Sequence, residues 1–103
     1  MPKTDGKDEL RDKLMRYLKR AGPAFKGIEV LESRGEIVRD TALRYHSDAV
    51  HFFESGDYVS SFAALEYAEG WLDAGVAMGA VSKKALRKAI KRKNFNQIGT
   101  DEG

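Results

Sequence analysis

Between Gly56 and Gly79 runs GDYVSSFAALEYAEGWLDAGVAMG, a stretch in which few residues demand water. Asp57, between a glycine and an apolar run, has the composition of a helix start. Its carboxylate accepts from orphan N–H groups, and Gly56 ends the preceding helix. At about 100° per residue, Val59, Ala63, Gly70, Ala74 and Ala77 share one side, and Leu65, Ala68, Leu72, Gly75 and Gly79 share the other. The spacing therefore predicts a helix with two buried faces. Glu66, Glu69 and Asp73 form a narrow wedge that must face water, and Tyr67, Trp71 and Met78 lie on the opposite flank. A glycine inside a helix costs about 1 kcal/mol relative to alanine, a cost that persists where a side chain would keep another backbone away. Gly70, in line with Ala63, Ala74 and Ala77, is read as a close-packing seam, whereas Gly75 and Gly79 fit either a seam or a loosening helix end.

The rest of the chain is what can cover such a helix. With 103 residues there is room for one domain and a modest core. No apolar run approaches the roughly 20 residues of a bilayer span, and Met1 to Arg20 interleaves its leucines with charges, unlike a secretory signal. The absence of cysteine removes disulfides, thiolate metal sites and thiol catalysis, and fits a reducing cytoplasm. The net charge of +2 conceals an asymmetry. Residues 1–82 carry eleven Lys/Arg against fourteen Asp/Glu, whereas Lys83 to Lys93 holds seven basic residues and no acid.

From Lys7, Leu10, Leu14, Tyr17 and Ala21 recur at helical spacing. Gly22-Pro23 interrupts this pattern, because proline lacks an N–H and clashes with the preceding turn. Phe25 and Ile28 continue the stripe in phase, so helix is expected on both sides of Pro23, ending near Ser33 with Gly35 as the stop signal. The second helix is expected over Glu36 to Ser55, burying Val38, Ala42, Tyr45, Ala49, Phe52 and Phe53. The third is expected from Asp57 to about Val81. Short connections make consecutive helices antiparallel neighbours. Ser82 can cap a further helix, Lys83 to Lys93, striped by Leu86, Ala89 and Ile90. The fold expected is all-α: an up-down-up, antiparallel three-helix bundle over residues 7–81 with a kinked first helix. A frayed end over 1–6, a basic helical extension over 82–93 and a disordered tail over 94–103 complete it.

The second and third helices carry a recognisable pattern: Tyr45, Asp48-Ala49, Phe52, Gly56-Asp57-Tyr58-Val59, Phe62-Ala63, Tyr67-Ala68, Gly70-Trp71-Leu72-Asp73-Ala74-Gly75 and Gly79. It resembles the archaeal family called domain of unknown function 357, in which a YxxDAxxF helix precedes GDYVxAFAALxYAxGWLDAG. The match covers about Ile37 to Val81 and only loosely the first helix. The resemblance implies a compact three-helix bundle in an archaeal cytoplasmic protein and brings no established activity. The Gly22-Pro23 interruption and the basic segment after Val81 depart from the pattern.

Candidate chemistry is sparse. Asp48 and Asp73 lie at the edges of buried stripes, where a partly buried carboxylate needs a donor such as Tyr45, Tyr67 or the Trp71 indole. Tyr45, Asp48 and Asp73 are thus either a hydrogen-bonded device fixing helix register or a small polar site. His46 and His51 point about 140° apart around a helix, so His46-x-Asp48-x-x-His51 does not hold one metal ion. Arg39 and His46 have the spacing of the Arg/His motif in small helical RNA-cleaving domains, and an imidazole beside a cation suits that reaction. The spacing recurs at Arg44 and His51, as a charged helix readily produces, so RNA cleavage is not expected. There is no Gly-rich phosphate loop, no Ser/His/Asp set and no cofactor motif.

Two binding expectations remain. Tyr67, Trp71 and Met78 are left over on a helix that is apolar around most of its girth, unless the first helix or Leu86 and Ile90 cover them; exposed, they imply a homodimer or another protein partner. Lys83, Lys84, Arg87, Lys88, Lys91, Arg92 and Lys93 suit phosphates through counterion release, or serve as a solubilising segment. The expected function is that of a non-enzymatic interaction or self-association module, cofactor-free and off the membrane. Weak RNA binding through the basic segment is the alternative.

Overall fold

The structure, a computed structural model, describes residues 6–83. Three helices carry it: α1 (Gly6–Lys26), α2 (Arg34–Glu54) and α3 (Tyr58–Ala77). Two three-residue strands, β1 (Ile28–Val30) and β2 (Val81–Lys83), pair antiparallel, with Ile28 opposite Lys83 and Val30 opposite Val81. The all-α expectation holds, with this ribbon as an addition.

Both glycines at the ends of the central stretch do what a left-handed residue after a helix does. Gly56 has φ +85° and Gly79 φ +76°. After α2, the Asp57 N–H donates to Phe52 O at 2.9 Å and the Gly56 N–H to Phe53 O at 3.1 Å. After α3, the Ala80 N–H donates to Gly75 O at 2.9 Å and the Gly79 N–H to Val76 O at 3.0 Å, the same paired motif. Gly79 is therefore a true stop. Asp57 caps α3 by accepting from the Ser60 N–H at 3.1 Å, and these bonds hold its carboxyl below the usual range. At the start of α2, Ser33 makes no side-chain cap. Glu32 does so instead, accepting from the Arg34 N–H at 3.2 Å and from its guanidinium at 2.7 and 2.6 Å. That fork holds the Glu32 carboxyl down to about 2.

Contacts along α2 and α3 run in opposite order: Ala49 meets Ser61, Tyr45 stacks on Tyr67, and Val38 lies against Gly75. α1 runs with α3, since Tyr17 lies beside Phe62 and the chain beyond Lys26 reaches β2 near the end of α3. The topology is up-down-up. The core gathers Leu14 and Phe25 of α1, Val38, Ala42 and Ala49 of α2, Ala64, Leu65, Ala68 and Leu72 of α3, and Ala80 and Val81. Ser61 is the polar side chain buried with them, its Oγ donating to Ala49 O at 2.6 Å and so tying α3 to α2.

Four expectations about the chain path need correction. α1 passes through Pro23 but ends at Lys26, not Ser33, and residues 28–30 are strand. Gly35 is not a stop; it is buried in the first turn of α2 against Ala80. α3 ends at Ala77, not Val81, because Gly79 reverses the chain. Ser82 lies in β2 and donates to Glu29 Oε1 at 3.0 Å instead of capping a helix. The common cause is the ribbon: Leu31 N–H donates to Ala80 O at 2.9 Å, a long-range bond that helical periodicity cannot announce. Of the residues expected to be frayed, 1–6, Gly6 instead opens α1, and residues 1–5, the rest of the basic segment and the tail over 94–103 lie outside the described residues.

Candidate interaction surface

α3 buries one face, not two. Ser61, Ala64, Leu65, Ala68, Leu72 and Gly75 point inward. Val59, Ala63, Gly70, Ala74 and Ala77, expected to be a buried seam, are exposed, and a Cβ on Gly70 would meet nothing within 4 Å. The glycine that permits close packing is Gly75, where a Cβ would lie 2.5 Å from Val38 Cγ1 and 3.0 Å from Val81 Cγ2. α2 and the turn into β2 cover the Leu65–Gly75 side, and α1 leans on the flank at Phe62; the remainder is touched at its edges by Tyr45, against Tyr67, and by Lys83, against Asp73.

The outer face of α3 divides into two lanes about the line of Ala63 and Gly70. On one side stand Tyr67, Trp71 and Met78, 63%, 39% and 55% exposed. Tyr67 is steadied by stacking on Tyr45 with ring centroids 5.4 Å apart, and the Arg44 guanidinium lies 5.5 Å from the Tyr45 ring. Glu66, Tyr67, Gly70, Trp71 and Ala74 line a shallow groove. On the other side lie Glu66, Glu69 and Asp73. Burial and the nearby Glu66 and Asp73 charges push the Glu69 carboxyl up, while Lys83 pulls it down. The sequence left Tyr67, Trp71 and Met78 either covered or open, and they are open; Val59 and Gly70, expected to be buried, share the same exposed face.

The Tyr45/Asp48/Asp73 polar site is not assembled. Asp48 is exposed, and Asp73, also exposed, pairs with Lys83 Nζ at 2.9 Å. Both carboxylates satisfy themselves in water or on the surface, so neither needed an aromatic donor. Of the seven basic residues, Lys83 is thus engaged with Asp73, and Lys84, Arg87, Lys88, Lys91, Arg92 and Lys93 lie outside the described residues.

Arg39 and His46 do not form one accessible pair. Arg39 Nε donates to Asp40 at 3.0 Å, whereas His46 stacks on Phe25 with centroids 4.6 Å apart, and its buried Nε2 has no hydrogen-bond partner among the described residues. Burial lowers the His46 pKa. The native state then binds fewer protons than the unfolded chain, so stability is full above the ordinary value near 6.5 and falls as pH drops through it. Urea midpoints should decline from pH 7 to pH 5.5, and subtracting the His46→Phe profile should isolate that slope. The subtraction also removes Glu69, whose raised pKa contributes with the opposite sign. A wild-type slope equal to that of His46→Phe would refute the assignment.

The family model for "Protein of unknown function (DUF357)" matches residues 12–81. The chain belongs to the DUF357 family. Its fold is similar to the crystal structure of a DUF357 protein from Archaeoglobus fulgidus, at a TM-score of 0.66 and 29% identity, over 76% of this chain and 97% of that one. No curated protein matches the chain. The family match takes in all of α2 and α3 and most of α1, so the exposed α3 face belongs to the part of the chain that the DUF357 model describes. Among the described residues no group of three or more His, Cys, Asp or Glu could hold a metal ion, and no helix is long and apolar enough to cross a membrane.

Proposed function

We propose that this DUF357 protein is a non-catalytic, cytoplasmic interaction module that binds a second copy of itself through the Tyr67–Trp71–Met78 lane of α3. One observation carries the reading: Tyr67, Trp71 and Met78 stand exposed on one side of α3, the first two lining a groove with Gly70 and Ala74. Exposed aromatics grouped beside small residues supply contact area at low side-chain entropy cost, the makeup of an interface centre. The groove also suits another helix, since Gly70 and Ala74 let a backbone approach closely.

Sedimentation equilibrium tests this. The weight-average mass should rise with concentration from 11.5 kDa towards twice that value, and Trp71→Ser should hold it at 11.5 kDa. Because Trp71 is exposed, its far-UV circular dichroism should be unchanged. A wild-type chain that stays monomeric at high micromolar concentration would refute self-association.

A further inference from the structure

The Tyr67–Trp71–Met78 lane has unlike borders. Along one runs α2, where Tyr45 stacks on Tyr67 and the guanidinium of the exposed Arg44 lies 5.5 Å from the Tyr45 ring. Along the other, across the line of Gly70, stand Glu66, Glu69 and Asp73. Asp73 is engaged by Lys83 at 2.9 Å, and Asp40, one turn before Arg44, by Arg39 at 3.0 Å. Arg44, Glu66 and Glu69 make no ion pair among the described residues. The Tyr45–Tyr67 stack also fixes their heights, since Arg44 and Glu66 are each one residue, ~1.5 Å of helix rise, from it.

These borders select how two copies pair. Two identical chains joined through the same surface are related by a two-fold axis that lies in the interface. If the axis runs along α3, the two α3 helices lie parallel, left and right are exchanged, and the Arg44 border of each copy faces the carboxylate border of the other. If it runs across α3, the helices lie antiparallel and each border faces its own equivalent, setting Glu66, Glu69 and Asp73 against the same three carboxylates. Like charges brought together disfavour that second arrangement, and opposite charges favour the first. On the basis of the self-association proposed above, we infer that the two copies pair with their α3 helices parallel, Arg44 of each copy against Glu66 and Glu69 of the other. Heights along α3 are kept in a parallel pair, so Arg44 meets Glu66 without a shift in register. Asp48, one turn further towards the Ala49–Ser61 contact, then faces residues 58–65 of the other α3, which hold no charge. The ion pairs lie at the rim of the interface, so added salt weakens the dimer.

The chain has no cysteine, so a single nitroxide placed through Ala77→Cys, exposed at the end of α3, reports on this geometry alone. Spin-labelled chain is mixed with unlabelled, isotope-enriched chain at a concentration where sedimentation shows dimer. Amide signals of residues 74–79 in the enriched chain should lose intensity while those of residues 58–63, ~24 Å away along α3, keep it. Arg44→Glu and Glu66→Arg should each raise the concentration at half-dimerisation roughly ten-fold, because the two-fold axis makes the pair twice, and the two combined should bring it back towards the wild-type value. Both positions are exposed, and unchanged far-UV circular dichroism shows that the variants fold. A wild-type chain that stays monomeric would overturn self-association and this arrangement with it. A dimer in which residues 74–79 keep their intensity, or a combined variant that dimerises no better than the single ones, would overturn the arrangement alone.

Discussion

Gly35→Ala should cost about 3 kcal/mol of stability, at the upper end of what overpacking does. A Cβ at this position runs into the Ala80 carbonyl oxygen and sits 3.0 Å from Val30 Cγ1. The obstacle is backbone, and the same carbonyl accepts the Leu31 N–H at 2.9 Å, so it cannot swing aside without opening the β1–β2 ribbon. Gly75→Ala should be costly by the same mechanism, though less so, since its obstacles are the Val38 and Val81 side chains. Gly70→Ala provides the contrast. With open space around it, the new methyl group brings only better helix propensity, a gain of about 1 kcal/mol. Thermal melts at low protein concentration should separate the three, with Gly70→Ala rising by roughly 4–8 °C and Gly35→Ala falling by more than that. Equal effects at Gly35 and Gly70 would refute the packing described here.

Leu14→Ala should remove about 2–5 kcal/mol, the range for a buried leucine that leaves a cavity. Leu14 is 1% exposed and, with Phe25, is one of two fully buried residues that α1 places in the core. Its neighbours Tyr17, Leu18 and Ala21 are only partly covered. A loss of this size is a large share of the roughly 5–15 kcal/mol that a domain has, and it falls on the helix with the fewest buried anchors. Amide hydrogen exchange should therefore show α1 losing protection before the α2–α3 pair does. Met15→Ala, at a position 38% exposed, should change the urea midpoint little and serves as the control. Uniform loss of protection across all three helices would show that α1 is not the weaker unit.

The turn at Gly79 makes neighbours of charges that linear distance keeps apart, as Lys83 and Asp73 show. The two lanes of α3 then offer different chemistry on one helix: aromatic surface towards Tyr67 and Trp71, and carboxylates towards Glu69 and Asp73.

By itself the sequence determined several features that depend on bonds between near neighbours. The Asp57 cap, the stop at Gly56, and the inward stripe of α2 at Val38, Ala42 and Ala49 all follow from local geometry, and the structure has each. The exposure of Tyr67, Trp71 and Met78 was legible as one of two outcomes, the other being their cover by the first helix or by Leu86 and Ile90. Only the tertiary structure decided which small-residue face of α3 turned inward. Periodicity locates a buried face by contrast with a polar one, and α3 is so evenly apolar that the contrast nearly vanishes, so the sequence pointed to Gly70 as the close-packing glycine where the structure uses Gly75. The choice fell to Val38 and Val81, which fill the space beside Gly75 and leave none for a side chain. The β1–β2 ribbon was equally hidden, because three-residue strands are defined by a partner some fifty residues away, as Ile28 and Lys83 are, and not by any pattern of their own.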